Sequence, residues 1–173
     1  IRGLQIQGIN HVWQTDITYF IVDSVKVLYL IFIIDIYSRR IIGYTAHDHM
    51  RGEANVACLR MAINCRKGYD LSKLIHHSDC GSQHVFKQYL ELLKPFKISM
   101  SKQAWQNAYS ERINGTIKND YLKHRKIQSL SDLRANLTKD IFAYNNERPH
   151  KSLPEKMSPI QFEEYLKRTP KIQ

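Results

Sequence analysis

The apolar run Val27 to Ile34, eight residues halted by Asp35, constrains this chain most. It is far below the roughly 20 residues that span a bilayer, so it reads as a buried strand. The surrounding stretch VKVLYLIFIIDIYS is apolar on both of its alternating sides, which predicts a strand central in its sheet. HVWQTDITYFIV, before it, alternates apolar and polar residues and reads as an earlier strand carrying Asp16. RRIIGYTAHD, after it, reads as a third strand, antiparallel to the second through a turn at Tyr37–Arg40.

Beyond these strands the periodicity changes. Ala54, Cys58, Met61, Ala62 and Cys65 recur at helical spacing, and Gly68 stands where helices often stop. KLIHHS is a short fourth strand ending at Asp79. Phe86, Tyr89, Leu90 and Leu93 mark a second helix that halts before Pro95, and KISMS is a fifth strand. The remainder is helical. One segment runs from about Ala108 to His124, and another opens at Ser129 with a Ser-x-x-Asp capping box completed by Asp132. The last opens at Ser158-Pro159 with Gln161 placed to complete its box. Three leading strands, then helix, strand, helix, strand and a helical tail make a mixed-sheet α/β domain. In open sheets of this kind, sites are built at strand ends.

The 173 residues suffice for one domain with a real core. Three cysteines, Cys58, Cys65 and Cys80, form no C-x-x-C pair and no disulfide framework, and no signal peptide is visible, so a reduced intracellular protein is expected. The chain starts at Ile1 rather than Met, so it is expected to be an excised piece. The net charge is +10, unevenly placed: residues 94–173 hold sixteen Lys/Arg against eight Asp/Glu, whereas residues 1–93 hold ten against eight. A basic half favours a polyanion such as nucleic acid, with simple solubility as the bland alternative.

Asp16 lies inside an apolar strand, Asp79 ends one, and Glu111 lies in a predicted helix. A buried carboxylate needs a cation, a metal or a hydrogen-bond network. Converging carboxylates repel, and hard divalent cations such as Mg²⁺ resolve that conflict. Two such ions serve phosphodiester chemistry, which would join the acids to the basic surface. Each acid also has a plain explanation: an arginine partner for Asp16, a turn cap for Asp79, solvent for Glu111.

VWQTDITY, HHSDCGSQ and NAYSERINGTIKNDYL, followed by YNNERPHKSL and SPIQF, resemble the integrase-type catalytic core of bacterial insertion-sequence transposases, DDE enzymes related to retroviral integrases. The resemblance covers roughly residues 10 to 165 in the family's order. It implies a ribonuclease-H-like fold: a mixed five-stranded sheet flanked by helices in residues 10–126, with residues 127–173 a helical C-terminal extension of the same domain. It implies that Asp16, Asp79 and Glu111 are the catalytic, metal-binding acids, holding two Mg²⁺ (or Mn²⁺) when DNA is bound. Lys118 matches the lysine seven residues after the family's glutamate, nearly two helical turns on and so on Glu111's face. Asn107 matches the asparagine one turn before that glutamate. Tyr144, Asn145, Arg148, Pro149 and His150 match the C-terminal signature, structural or DNA-contacting. Lys118, Asn107, Arg112, Lys102, Arg148 and His150 are the expected DNA contacts. The partners implied are transposon-end and target DNA and further copies of the chain, with no membrane, in a bacterial cytoplasm at the nucleoid. The resemblance also implies an N-terminal helix-turn-helix region, not visible in this sequence, with residues 1–9 as the linker from that missing region.

Three features depart from the family pattern. Thirty-one residues separate Asp79 from Glu111, where about thirty-five are common. The loop before the helix reads KQAWQNA, with Gln106 in place of an aspartate, and Cys80 stands where arginine is common. The runner-up is therefore a non-catalytic DNA-binding or assembly module whose short loop fails to seat Glu111. A nuclease of RNA–DNA hybrids shares fold and metals, but the C-terminal signature argues against it. His76, His77, Cys80 and His84 fit no common zinc spacing, and a strand points His76 and His77 to opposite faces. His47–His49 encloses an acid rather than the apolar residue of a nickase, and no Arg/His cluster frames a tyrosine nucleophile. Asp35, Asp48 and Asp120 read as structural or solvated, and Trp105 as loop packing or a base-stacking platform.

Overall fold

The computed structural model describes residues 3–22, 26–79, 86–101 and 108–169. Five strands, β1 (Val12–Val22), β2 (Lys26–Asp35), β3 (Ile41–His47), β4 (Ile75–Asp79) and β5 (Lys97–Ser101), form one sheet in the order β3-β2-β1-β4-β5. β1–β2 and β2–β3 are antiparallel, and β4 joins β1 and β5 in parallel. The expected mixed five-stranded sheet is present, with one adjustment. β2 is interior, as its composition requires, but the middle of the sheet is β1, the strand that carries Asp16.

β2 supplies both cores because its side chains alternate. Leu28, Leu30, Phe32 and Ile34 face helices α3 (Ala108–Thr116) and α4 (Leu130–Asn146), where they meet Ile113, Leu133, Leu137 and Tyr144. Ile31 and Ile33 face α1 (Gly52–Cys65) and α2 (Lys87–Leu93) and join Trp13, Leu59 and Leu93. Burial of each such side chain contributes about 1.5–3 kcal/mol. α1 presses closely on β3, since a Cβ at Gly43 would stand 2.5 Å from the Cys58 carbonyl oxygen. Gly68, just past α1, has the left-handed φ of +89° that a helix exit uses.

The helix predicted from about Ala108 to His124 is present but not uniform: beyond α3 it widens into a π-turn over Ile117–Tyr121 and tightens into a 3₁₀ turn over Leu122–His124. At α4, Ser129 accepts from the Asp132 N–H at 3.0 Å, while Asp132 caps the Gln128 N–H rather than that of Ser129, so only half of the expected box forms. Both halves form at Ser158 and Gln161, which start α5 (Pro159–Arg168). No helix among the described residues is long and apolar enough to cross a membrane.

α4 shares a core with the sheet, and α5 is tied to it through Glu163. Asn145 Oδ1 accepts from the Ile41 N–H at 3.0 Å, its Nδ2 donates to the Ile41 carbonyl at 2.9 Å, and the Tyr144 hydroxyl donates to the Arg39 carbonyl at 3.2 Å. These bonds fall where the β2–β3 register slips between Ile33 and Ile34. Arg66, fully buried, is held by Glu163 of α5 through both of its terminal nitrogens and lies 3.6 Å from Asp35; Arg40 completes the cluster at 2.7 Å from Glu163.

Candidate active site

β1 and β4 run in parallel with Gln14 opposite His77. That is the last paired rung, and Asp16 and Asp79 each stand two residues beyond it on adjacent strands. Asp79 is the last residue of β4 and pairs through its backbone with Ser101 of β5; its side chain lies outside the described residues. Asp16 shares the α3 face of the sheet with its β2 partner Phe32.

α3 is tied to that face by a hydrogen bond from Asn114 Nδ2 to Asp16 Oδ2 at 2.8 Å. Glu111 sits three residues, one turn, before Asn114 and is exposed. On the other side of Asn114, the Lys118 ammonium lies 5.2 Å from the ring centroid of Tyr19, on the same strand as Asp16. Lys118 falls within the π-turn, which adds a residue per turn and advances the helix phase there. Even so, Asn114 and Lys118 both reach β1 residues, and Glu111 lies one turn before Asn114.

Asn114 escaped the sequence reading. Its signal was available: a polar residue three positions after Glu111, on the side of the helix where Ile113 and Ile117 are buried.

Of the remaining expected DNA contacts, the three among the described residues lie elsewhere. Arg112, Arg148 and His150 line a cleft of about 450 Å³ between the start of α3 and the loop after α4. Arg148 pairs with Asp120 at 2.7 Å and lies 5.8 Å from the Tyr121 ring centroid. His150 packs edge-on against Tyr144, and burial, then Arg148 and Arg39, push its pKa down to about 4. Lys102, Asn107, Trp105, Gln106 and Cys80 lie outside the described residues.

His76 and His77 do point to opposite faces: His76 Nε2 is 2.7 Å from the Tyr89 hydroxyl, and His77 Nδ1 is 3.0 Å from Ser99 Oγ. Among the described residues no three His, Cys, Asp or Glu side chains cluster as a cation site, Asp79 being outside that set. Asp35 is wholly buried and accepts from the N–H groups of Asn10, Tyr37 and Ser38. Asp48 and Asp120 are exposed.

The integrase core domain family matches this chain over residues 7–107, and a second integrase core domain profile matches residues 96–159. The chain belongs to the integrase core domain family. This integrase core is 33% identical over 165 residues to the transposase for insertion sequence element IS904 of Lactococcus lactis subsp. lactis, covering 90% of the chain and 62% of that protein. It is 34% identical over 163 residues to the insertion element IS600 uncharacterized 31 kDa protein of Shigella sonnei, 90% of the chain and 57% of that protein. The chain thus spans about three fifths of these relatives' length. In fold it is similar to the HTLV-2 integrase catalytic core domain in complex with magnesium, trimeric form, with a TM-score of 0.69 at 20% identity over 88% of this chain and 95% of that one. The ribonuclease-H-like architecture expected from the sequence is the one this neighbour shares.

Proposed function

We propose that this integrase core is the phosphoryl-transfer part of a DNA transposase, cutting a phosphodiester at a transposon end and joining the freed 3′ end to target DNA. The observation that carries the reading is the parallel pairing of β1 with β4, whose last rung, Gln14 opposite His77, lies two residues before both Asp16 and Asp79, with the helix bearing Glu111 tied to Asp16 through Asn114. Carboxylate oxygens are the donors that Mg²⁺ and Mn²⁺ prefer, so the three acids fit such a cation in their chemistry. Asp16, Asp79 and Glu111 would hold the ions. A pair of divalent ions supplies activation of the attacking oxygen and stabilisation of the leaving oxygen, with no covalent enzyme intermediate.

The chain's own residues orient and bind. Asn114 holds the Asp16 carboxylate in one orientation, and Lys118 offers its ammonium to a phosphate near the acids. The basic half of the chain takes the DNA backbone. Magnesium in the HTLV-2 neighbour supports the choice of cation, and its trimeric form supports a multimer that brings two DNA ends together. The insertion-sequence relatives support a bacterial cytoplasmic setting.

The test uses the full-length protein with a duplex carrying a transposon end and Mg²⁺ or Mn²⁺. Asp16→Asn, Asp79→Asn and Glu111→Gln should each abolish cleavage and joining while DNA binding persists. Wild-type cleavage by all three variants would sink the assignment, and cleavage by Glu111→Gln alone would remove the third acid. A wild-type protein that binds DNA and never cuts it would be the non-catalytic module instead.

A further inference from the structure

We propose that the cleft between α3 and the loop after α4 is a seat for an unpaired nucleotide of the DNA strand, its phosphate held by Arg39, Arg112 and Lys151 beside Tyr109. The inference rests on the polynucleotide reading above and adds the form in which the strand is bound.

Four residues with fixed positive charge (Arg39, Arg112, Arg148 and Lys151) line this recess, and among the described residues no carboxylate does. Asp120, the partner of Arg148, lies outside the lining. A concave site walled by one sign of charge focuses potential and favours an anion. The recess is also ordered. The Arg39 guanidinium donates to the Ile36 carbonyl at 2.5 Å and lies 4.3 Å from the Tyr109 ring centroid, so the cation and ring form a stacked platform. Tyr109 remains 37% exposed, enough ring to receive a base. In the wall, His150 Nε2 is buried with no hydrogen-bond partner among the described residues. With its pKa near 4 the ring is neutral at pH 7, and a buried ring nitrogen without a partner is a polar group that a ligand oxygen would satisfy.

Size decides between strand and duplex. A volume of about 450 Å³ is that of a small-ligand pocket, in the usual range of roughly 300–1,000 Å³. A duplex is a convex rod read by elements that project into its grooves, and it cannot enter such a recess. One nucleotide pulled from the stack can. The position suits that role, because Arg112 adjoins Glu111 on α3 while Asn114, on the same helix, touches Asp16. A strand crossing the first turns of α3 meets both the acids and the cleft.

The test is fluorescence anisotropy of this chain with an oligo-dT strand of about 15 nucleotides and with a blunt duplex of equal length, from about 50 to 200 mM salt. Arg39 has a left-handed φ of 65°, so it is changed to Asn, which tolerates that turn. The Arg39→Asn/Lys151→Ala protein should bind the strand about 10-fold more weakly, with a salt slope lower by up to about 0.7, since the one seated phosphate loses two of its three cations. Its duplex affinity should stay within about 3-fold. Lys151→Ala alone, at an exposed loop position, should keep the fold and show about half of the slope change. Parallel losses on strand and duplex, or no loss on either, would overturn the seat while the DNA reading stands. If the unaltered chain bound neither DNA, the polynucleotide reading would fail and the seat with it.

Discussion

Asn114 donates from Nδ2 to Asp16 Oδ2 at 2.8 Å, joining residues 98 positions apart. This bond locates α3 on the sheet beside the proposed acids. In Asn114→Asp two carboxylates would face each other, and one would hold its proton above the usual carboxylate range. A carboxyl with a raised folded pKa loses stability as pH rises through that window. The variant should therefore approach wild-type stability at pH 5 and lose about 1–3 kcal/mol at pH 8. Added Mg²⁺ should return part of the loss at pH 8. Urea denaturation at both pH values checks this, and equal losses at the two would mean the hydrogen bond is not made.

Lys118→Ala should weaken DNA binding without touching fold stability. Removing one ammonium that neutralises a phosphate lowers the slope of log affinity against log salt by about 0.9 on duplex DNA. Unchanged affinity and slope would remove Lys118 from the DNA surface and leave it as a neighbour of Tyr19.

Asp35 sets a pH dependence. Burial, opposed by the Asn10 N–H and Arg66, raises its pKa from 3.8 to about 6. The folded state thus holds the proton more tightly than the unfolded one, and stability from this group falls as pH rises from about 4 to about 6. Two units correspond to roughly 3 kcal/mol. Glu163 works in the opposite direction: Arg66 and Arg40 overcome its burial and depress its pKa, so its contribution is lost as the medium is acidified below its unfolded value. The difference between wild type and Asp35→Asn isolates Asp35. Wild type should gain on Asp35→Asn as pH drops from 6 to 4, read from denaturation midpoints, and parallel profiles would contradict the assignment.

Glu163→Ala should be among the most damaging changes in the chain. It leaves Arg66, whose side chain is fully buried, with Asp35 at 3.6 Å and no bidentate partner. Removing one member of a buried pair costs about 3–5 kcal/mol. Hydrogen exchange should quicken across α5 first. A loss below about 1 kcal/mol would mean that water reaches Arg66.

Asn145→Asp separates two roles for the C-terminal signature. The carboxylate can still accept from the Ile41 N–H, but it sets a second acceptor against the Ile41 carbonyl. A loss of about 2–3 kcal/mol in thermal or urea unfolding is expected, with intrinsic DNA affinity unchanged in the folded fraction. A stable protein with weakened DNA binding would move Asn145 to the DNA surface.

Much of the fold was legible because it is written in local periodicity. The two-sided apolar run of β2 announced a sheet with a core on each face, and KISMS is β5 residue for residue. Ser158, Pro159 and Gln161 marked the start of α5 because capping needs only neighbours in the chain. Asp16 stood out for a related reason, as a charged residue within an apolar pattern, whereas Asp79 and Glu111 were joined to it by the resemblance of HHSDCGSQ and NAYSERINGTIKNDYL to the family's motifs.

What only the tertiary structure decided lies between segments far apart in sequence. Nothing near Val12 says that β1 will take the middle of the sheet, and nothing near Ile75 says that Gln14 will meet His77; that register follows from packing both faces at once. Asn114 could be matched to Asp16, and Glu163 to Arg66, only once α3 and α5 were docked. Among the described residues, the expected DNA-binding ones likewise divide between Lys118, beside Tyr19 of β1, and a separate cleft lined by Arg112, Arg148 and His150, because side chains a few positions apart on one helix point in different directions. Periodicity determines which face of an element is buried, but the partner of a polar side chain on that face is fixed by long-range geometry.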